Sequence, residues 1–212
     1  MIANTSGYLI YHPKRAVSKD NNTIIYHDAI RAGNQDPYIW STRFLHTYCH
    51  ITQLSPKAGH IIFWVSGNTF PHFSQLYCDL VFVVETKLYW SKANSIERSD
   101  PLVESDEAFD DHYTWHHQHP FKKRKRFTLK AHPDHSFQPQ DRNGMLIDIV
   151  PLLDEIGLSP ERVRDGLKAG FQSKPMHLDT QAHMLYEKVQ ERAEIKLYGA
   201  GLEKVRRGRD GQ

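Results

Sequence analysis

GHIIFWV (residues 59–65) and CDLVFVVE (residues 78–85) are short, rich in aromatic and β-branched side chains, and separated by the turn-forming residues Ser66, Gly67, Asn68, Phe70 and Pro71. Such segments read as strands. Their apolar character is nearly continuous rather than alternating, which is the pattern of strands covered on both faces, and it places them in the middle of a sheet. Around this pair, GYLIY (residues 7–11) reads as a first strand ended by His12 and Pro13, because proline donates no ladder bond and restricts the residue before it. Residues 14–22 are polar and are expected to form a turn or loop. A short helix is expected over residues 28–32, with another short element over residues 44–51.

Downstream, residues 126–131 alternate cationic or polar with apolar side chains, the period-two signature of a half-exposed strand with Phe127 and Leu129 inward. A further strand is expected over residues 145–150. Beyond Pro151 the pattern becomes helical. Ser159, Pro160 and Glu161 supply an N-cap, a preorganised first position and a first-turn acid, with Val163 and Leu167 as the inner face. A last helix starting at Asp179 or Thr180 carries the stripe Ala182, Leu185, Tyr186, Val189, Ala193 and Leu197. The expectation is therefore an α+β fold: a mixed or antiparallel sheet or small β-barrel in residues 1–150, a helical part in residues 151–200 packed against it, and a basic, frayed tail in residues 201–212.

The chain has 212 residues, 39% of them apolar and 11% aromatic, which is enough to bury a core. The formal net charge is +2, so no global field steers the protein toward nucleic acid or a membrane surface, and any such attraction is local. Two cysteines, Cys49 and Cys78, are too few for a disulfide framework. With no long apolar segment and no apolar leader at the N-terminus, a cytoplasmic location and no membrane partner are expected.

The local charge lies in HYTWHHQHPFKKRKR (residues 112–126), which follows the acids Asp100, Glu104, Asp106, Glu107, Asp110 and Asp111. Lys122, Lys123, Arg124, Lys125 and Arg126 can neutralise several phosphates, and Tyr113, Trp115 and Phe121 can stack on unpaired bases. The acids and bases can equally face one another across a hairpin, or dock a protein partner. His112 and His116 share a face of a helix; His117 and His119 share a face of a strand. Either pair, completed by His132, His135, Asp110 or Asp111, is a candidate site for one divalent metal ion.

The stretch from Trp115 to Phe121 resembles the His-His-x-x-Pro segment of HNH nucleases. That resemblance implies His117 as base and His116 as metal ligand, although the closing histidine and the zinc-knuckle cysteines are not in place. Asp79, Glu85 and Lys87 follow the order of groups in PD-(D/E)XK nucleases. A continuous strand, however, spreads those two carboxylates roughly 20 Å apart, too far to share an ion.

A third resemblance covers the chain up to Trp90. GYLIYHP (residues 7–13), PKAGHIIFWVS (residues 56–66) and the strand leaving at Tyr89 and Trp90 are similar to the EVE members of the PUA-like superfamily, with His60 where that family carries an acid. The resemblance implies a small β-barrel with helices that binds DNA or RNA without a cofactor or catalysis, reading a modified or flipped base. Trp64, Trp40 and Tyr89 would be pocket walls, Ser66 and Asn68 would read a base edge, and the cations at 122–126 would lie on phosphate. The alternatives are a metal-dependent nuclease or hydrolase using His112, His116, His117 and His119, and a non-catalytic protein-interaction domain. A metal enzyme predicts a bound ion lost in His116→Ala or His117→Ala; a binding module predicts salt-sensitive affinity with no product formed.

Overall fold

The computed structural model describes residues 5–11, 15–20, 22–28, 47–50, 56–67, 74–89, 127–167 and 175–198. The architecture is α+β. A six-stranded mixed sheet has the order β4-β7-β6-β5-β1-β9, formed by β1 (Gly7–Tyr11), β4 (Thr47–His50), β5 (Ile61–Gly67), β6 (Leu76–Tyr89), β7 (Phe127–Ala131) and β9 (Met176–Leu178). β1 and β5 are parallel, with Gly7 beside Ile61 and Tyr11 beside Val65, and the other neighbours are antiparallel. Two small ladders complete the strands: β2 (Arg15–Asp20) with β3 (Thr23–Asp28), and β8 (Gln138–Gln140) with β10 (Ile195–Leu197). Among the described residues the large sheet is open, with no pairing between its edge strands β4 and β9.

The continuous apolar runs are central, as their pattern demands. Ile61, Ile62, Phe63, Trp64 and Val65 are each at most 3% exposed. Alternate residues serve two separate cores. Leu9, Tyr11, Ile61, Phe63, Val65, Cys78, Val81 and Val83 face the helices α1 (Val150–Glu155), α2 (Pro160–Leu167) and α3 (Gln181–Arg192), and pack with Leu152, Leu153, Val163, Leu167, Ala182, Leu185 and Val189. On the opposite face Tyr8, Ile62, Trp64, Leu80, Phe82, Val84, Leu129 and Ala131 form the second cluster. Each fully buried large side chain contributes about 1.5–3 kcal/mol of transfer free energy, so these strands carry a large share of the stability.

The helices follow the expected capping and stripe. Arg162 donates its backbone N–H to Ser159 Oγ (3.3 Å) at the start of α2, with Pro160 in the first position. Ala182, Leu185, Tyr186 and Val189 form the buried face of α3, while Leu197 belongs to β10 instead of extending the helix. The close seat of α3 on the sheet explains Gly7: a Cβ there would meet Ile61 O and come within 2.8 Å of Ala182 Cβ. Lys188 of α3 bonds Glu155 of α1 (3.1 Å), and Arg192 adds a second contact to that carboxylate (3.3 Å). No helix among the described residues is long and apolar enough to cross a membrane.

Besides Leu197, other local expectations differ from the structure. Residues 15–28 form a hairpin, turning at Asn22 with a positive φ of 68°, where a loop and the start of a helix were expected; asparagine tolerates that left-handed conformation. Residues 145–149 make only isolated bridges, because Asp148 turns its side chain to the backbone: Oδ1 accepts N–H bonds from Leu76 (3.0 Å) and Val150 (3.1 Å), ending the extended run and starting α1. β8 is an unexpected strand in a polar sequence. β9 is another, and it joins the residues beyond 150 to the sheet edge at β1.

The outer edge of β6 shows why the chain after β7 is so irregular. β7 covers Tyr89 to Val84, and thereafter residues 132–149 supply partners one at a time. Val83 O accepts from His132 N–H (2.7 Å), and its N–H donates to Ser136 Oγ (2.9 Å). Val81 exchanges both bonds with Phe137 (2.9 Å each), and Cys78 N–H reaches Ile147 O (2.9 Å). Asp79 O is taken by the side-chain amide of Gln138 (2.9 Å).

Gln138, 1% exposed, behaves as a piece of backbone. Its Oε1 accepts from Tyr26 N–H (2.9 Å) and its Nε2 donates to Tyr26 O (2.7 Å), so one amide couples the β2–β3 hairpin to β6. Gln140 repeats the device, donating to Ile24 O (2.7 Å) and to Gln138 Oε1 (3.1 Å). Replacing Gln138 by Leu strands several buried donors and acceptors at about 1–3 kcal/mol each before relaxation, so Gln138→Leu is expected to lower the urea-unfolding free energy by about 3 kcal/mol. Gly7→Ala is expected to cost about 1–3 kcal/mol in the same measurement, by forcing α3 off the sheet.

Candidate functional site

Trp64 and Ser66 stand two residues apart on β5 and therefore share a face of the sheet. Opposite them β6 is irregular: Trp64 pairs with Leu80 and Val65 with Cys78, which leaves Asp79 as the extra residue of a β-bulge. A bulge re-aims the inserted side chain. Here Asp79 is turned toward Ser66, whose hydroxyl donates to Asp79 Oδ1 at 3.1 Å, with both residues nearly dry at 2% and 3% exposure. The Gln138 amide on Asp79 O fixes the bulge from the other edge of the strand.

Burial pushes the Tyr11 hydroxyl above its ordinary pKa; a hydrogen bond with the Gly67 backbone opposes that shift, and the Asp79 carboxylate reinforces it. The Cys78 thiol is raised well above its usual value by complete burial and then by Asp79, so it is an inert core group and not a nucleophile. Tyr11 and Gly67 close the carboxyl ends of the parallel strands β1 and β5. The result is a buried polar cluster in an apolar surround: an indole, a hydroxyl and a carboxylate at the end of a parallel strand pair.

A rim of rings lies at the opposite end of the same face. Tyr8 meets His177 edge-on, with centroids 5.2 Å apart, and lies 6.0 Å from His60. His177 Nδ1 is 3.2 Å from Asp179 Oδ1 at the surface. The register of β9 against β1 creates this contact by setting His177 opposite Tyr8, and no local pattern in the sequence announces it.

The structure brings together Trp64 and Ser66 of the expected site residues. Tyr89 is the last residue of β6, opposite Phe127, roughly 30 Å along the strand from Leu80, so it does not stand beside Trp64. Trp40, Asn68, His112, His116, His117, His119, Lys122, Lys123, Arg124, Lys125 and Arg126 lie outside the described residues. Arg126 directly precedes β7, the strand paired with Tyr89.

Asp79 and Glu85 lie six residues apart on the same strand, with Glu85 in contact with Lys130 Nζ (3.1 Å), and so do not converge on a shared ion. Among the described residues no group of three or more His, Cys, Asp or Glu side chains is placed to hold a metal. The chain matches no protein-family model, no curated protein and no solved structure.

Sequence patterning did not single out Asp79 as a partner of Ser66, nor Gln138 as its support. The signal was the acid itself, the one charged residue within the apolar run of residues 78–84. Ser66→Ala removes the hydroxyl donor to a buried carboxylate, and is expected to lower the unfolding free energy by about 1–3 kcal/mol in urea titrations.

Proposed function

We propose that the chain is a non-catalytic nucleic-acid-binding module of PUA-like, EVE-like character, acting without a cofactor and in the cytoplasm. The observation that supports this most is the placement of Trp64, Ser66 and Asp79 together at the β-bulge. An indole offers a stacking wall, while a hydroxyl and a carboxylate offer hydrogen-bond acceptors at a base edge.

Trp64 and Asp79 are buried in this structure, so reading a base there requires both its removal from the stack and a local opening at the bulge. Trp40, Tyr89 and Asn68 remain part of this proposal as further contacts to the nucleic acid. Lys122, Lys123, Arg124, Lys125 and Arg126 supply the phosphate contacts that hold the strand while the base is read.

The test is fluorescence anisotropy with labelled single- and double-stranded DNA and RNA across a salt series. Binding is expected to weaken with salt, and replacing the five cations by Gln is expected to make the slope of log K against log salt shallower by about 3 or more. Absence of binding at low salt, or an unchanged slope in the variant, overturns the proposal. Ser66→Ala is expected to reduce discrimination among bases with little change in the salt slope.

A further inference from the structure

β7 ends at Ala131, and His132, Pro133, Asp134 and His135 make the turn that delivers Ser136 and Gln138 to the edge of β6. The two imidazoles of this turn are stacked, with centroids 4.3 Å apart and planes inclined by 35°. Asp134 donates its N–H to His132 Nδ1 (3.3 Å). His132 O accepts from Ser136 N–H (3.0 Å), and His132 N–H holds Val83 O (2.7 Å). Charges on both rings at this separation repel.

We propose that the His132–His135 stack is a pH-sensitive latch: neutral, it holds residues 132–140 on β6, and protonated, it loosens that segment and with it the Gln138 grip on Asp79 and on the β2–β3 hairpin. The latch does not depend on the nucleic-acid proposal. Among the described residues, the charged and titratable groups around it come from three places. Within the turn Asp134 favours the imidazolium form. From α3 the Tyr186 hydroxyl donates to His135 O (3.4 Å), and on the adjoining strands Glu85 is occupied by Lys130.

Burial first, and the neighbouring His132 second, lower the pKa of His135, against the smaller opposing pull of Asp134. A histidine whose folded pKa lies below its unfolded value of about 6.5 contributes stability above that pH, and the contribution is lost as pH falls from there through the folded value. The latch therefore opens below about pH 6.5.

The experiment is an NMR titration of the full chain from pH 8 to 5, following the histidine ring protons, the Val83 and Ser136 amides and the Gln138 side-chain amide. The His135 midpoint is expected below that of a histidine in a short unstructured peptide at the same salt, and the three amide signals are expected to move with it. His135→Asn is expected to leave those amides pH-independent, and His132→Phe, which keeps a ring in the stack without a second charge, to raise the His135 midpoint toward the peptide's value. An ordinary His135 midpoint, amide shifts that persist in His135→Asn, or a His135 midpoint unmoved in His132→Phe overturns the latch; if one variant fails to fold, the other still separates these outcomes.

Discussion

A backbone amide or carbonyl buried without a partner costs about 1–3 kcal/mol, and β6 spends most of its 14 residues where no water can supply one. Both of its faces are dry: Cys78, Val81 and Val83 belong to the helical side and Leu80, Phe82 and Val84 to the other. One edge is satisfied by β5, which is equally buried. The other edge needs a ladder that β7 provides only as far as Val84, and the path of residues 132–149 is the answer to that shortage. Each departure from regular strand geometry there coincides with a partner delivered to β6: a backbone N–H from His132, a hydroxyl from Ser136, a two-bond exchange with Phe137, a side-chain amide from Gln138 and a carbonyl from Ile147.

The same constraint accounts for the polar residues found inside. Ser136, Gln138 and Gln140 are at most 1% exposed, which would be costly if they were isolated. They are instead bonded to backbone groups of neighbouring strands, so the polar interior is a continuation of the sheet by side chains. The β-bulge at Asp79 fits this arrangement, since it frees a carbonyl for Gln138 while turning the carboxyl toward Ser66. A site chemically distinct from its apolar surroundings thus arises from a strand irregularity, and its rigidity comes from the amide behind it.

The proposed chemistry and the proposed latch meet at one segment. Residues 132–140 carry the histidine pair at one end and the two glutamines at the other, joined by a few residues of backbone clamped on β6. In the proposed latch a change of charge at the turn is transmitted by loss of backbone partners on β6, and it reaches α3 as well, because Tyr186 donates to His135 O and packs edge-on against Phe137. Imidazoles suit such a place because they pack as rings, and His132 Nδ1 also accepts a hydrogen bond within the turn.

Much of the architecture was legible in the sequence because it rests on local periodicity. Two continuous apolar runs specified two central strands, Gly7 to Tyr11 a third, and the apolar stripes after Pro151 the helices with their capping serine. An apolar side chain needs only to be buried, and almost any apolar neighbour will serve, so the pattern along the chain suffices. Polar residues are different, since a glutamine is satisfied only by particular donors and acceptors at hydrogen-bond distance, and those groups come from residues far away in the chain, as Tyr26 does for Gln138. The hairpin at residues 15–28, the short strands β8, β9 and β10, the bulge at Asp79 and the stack of His132 on His135 were accordingly decided by the tertiary structure alone, because hydrogen-bond direction and strand register exist only once distant segments are brought together.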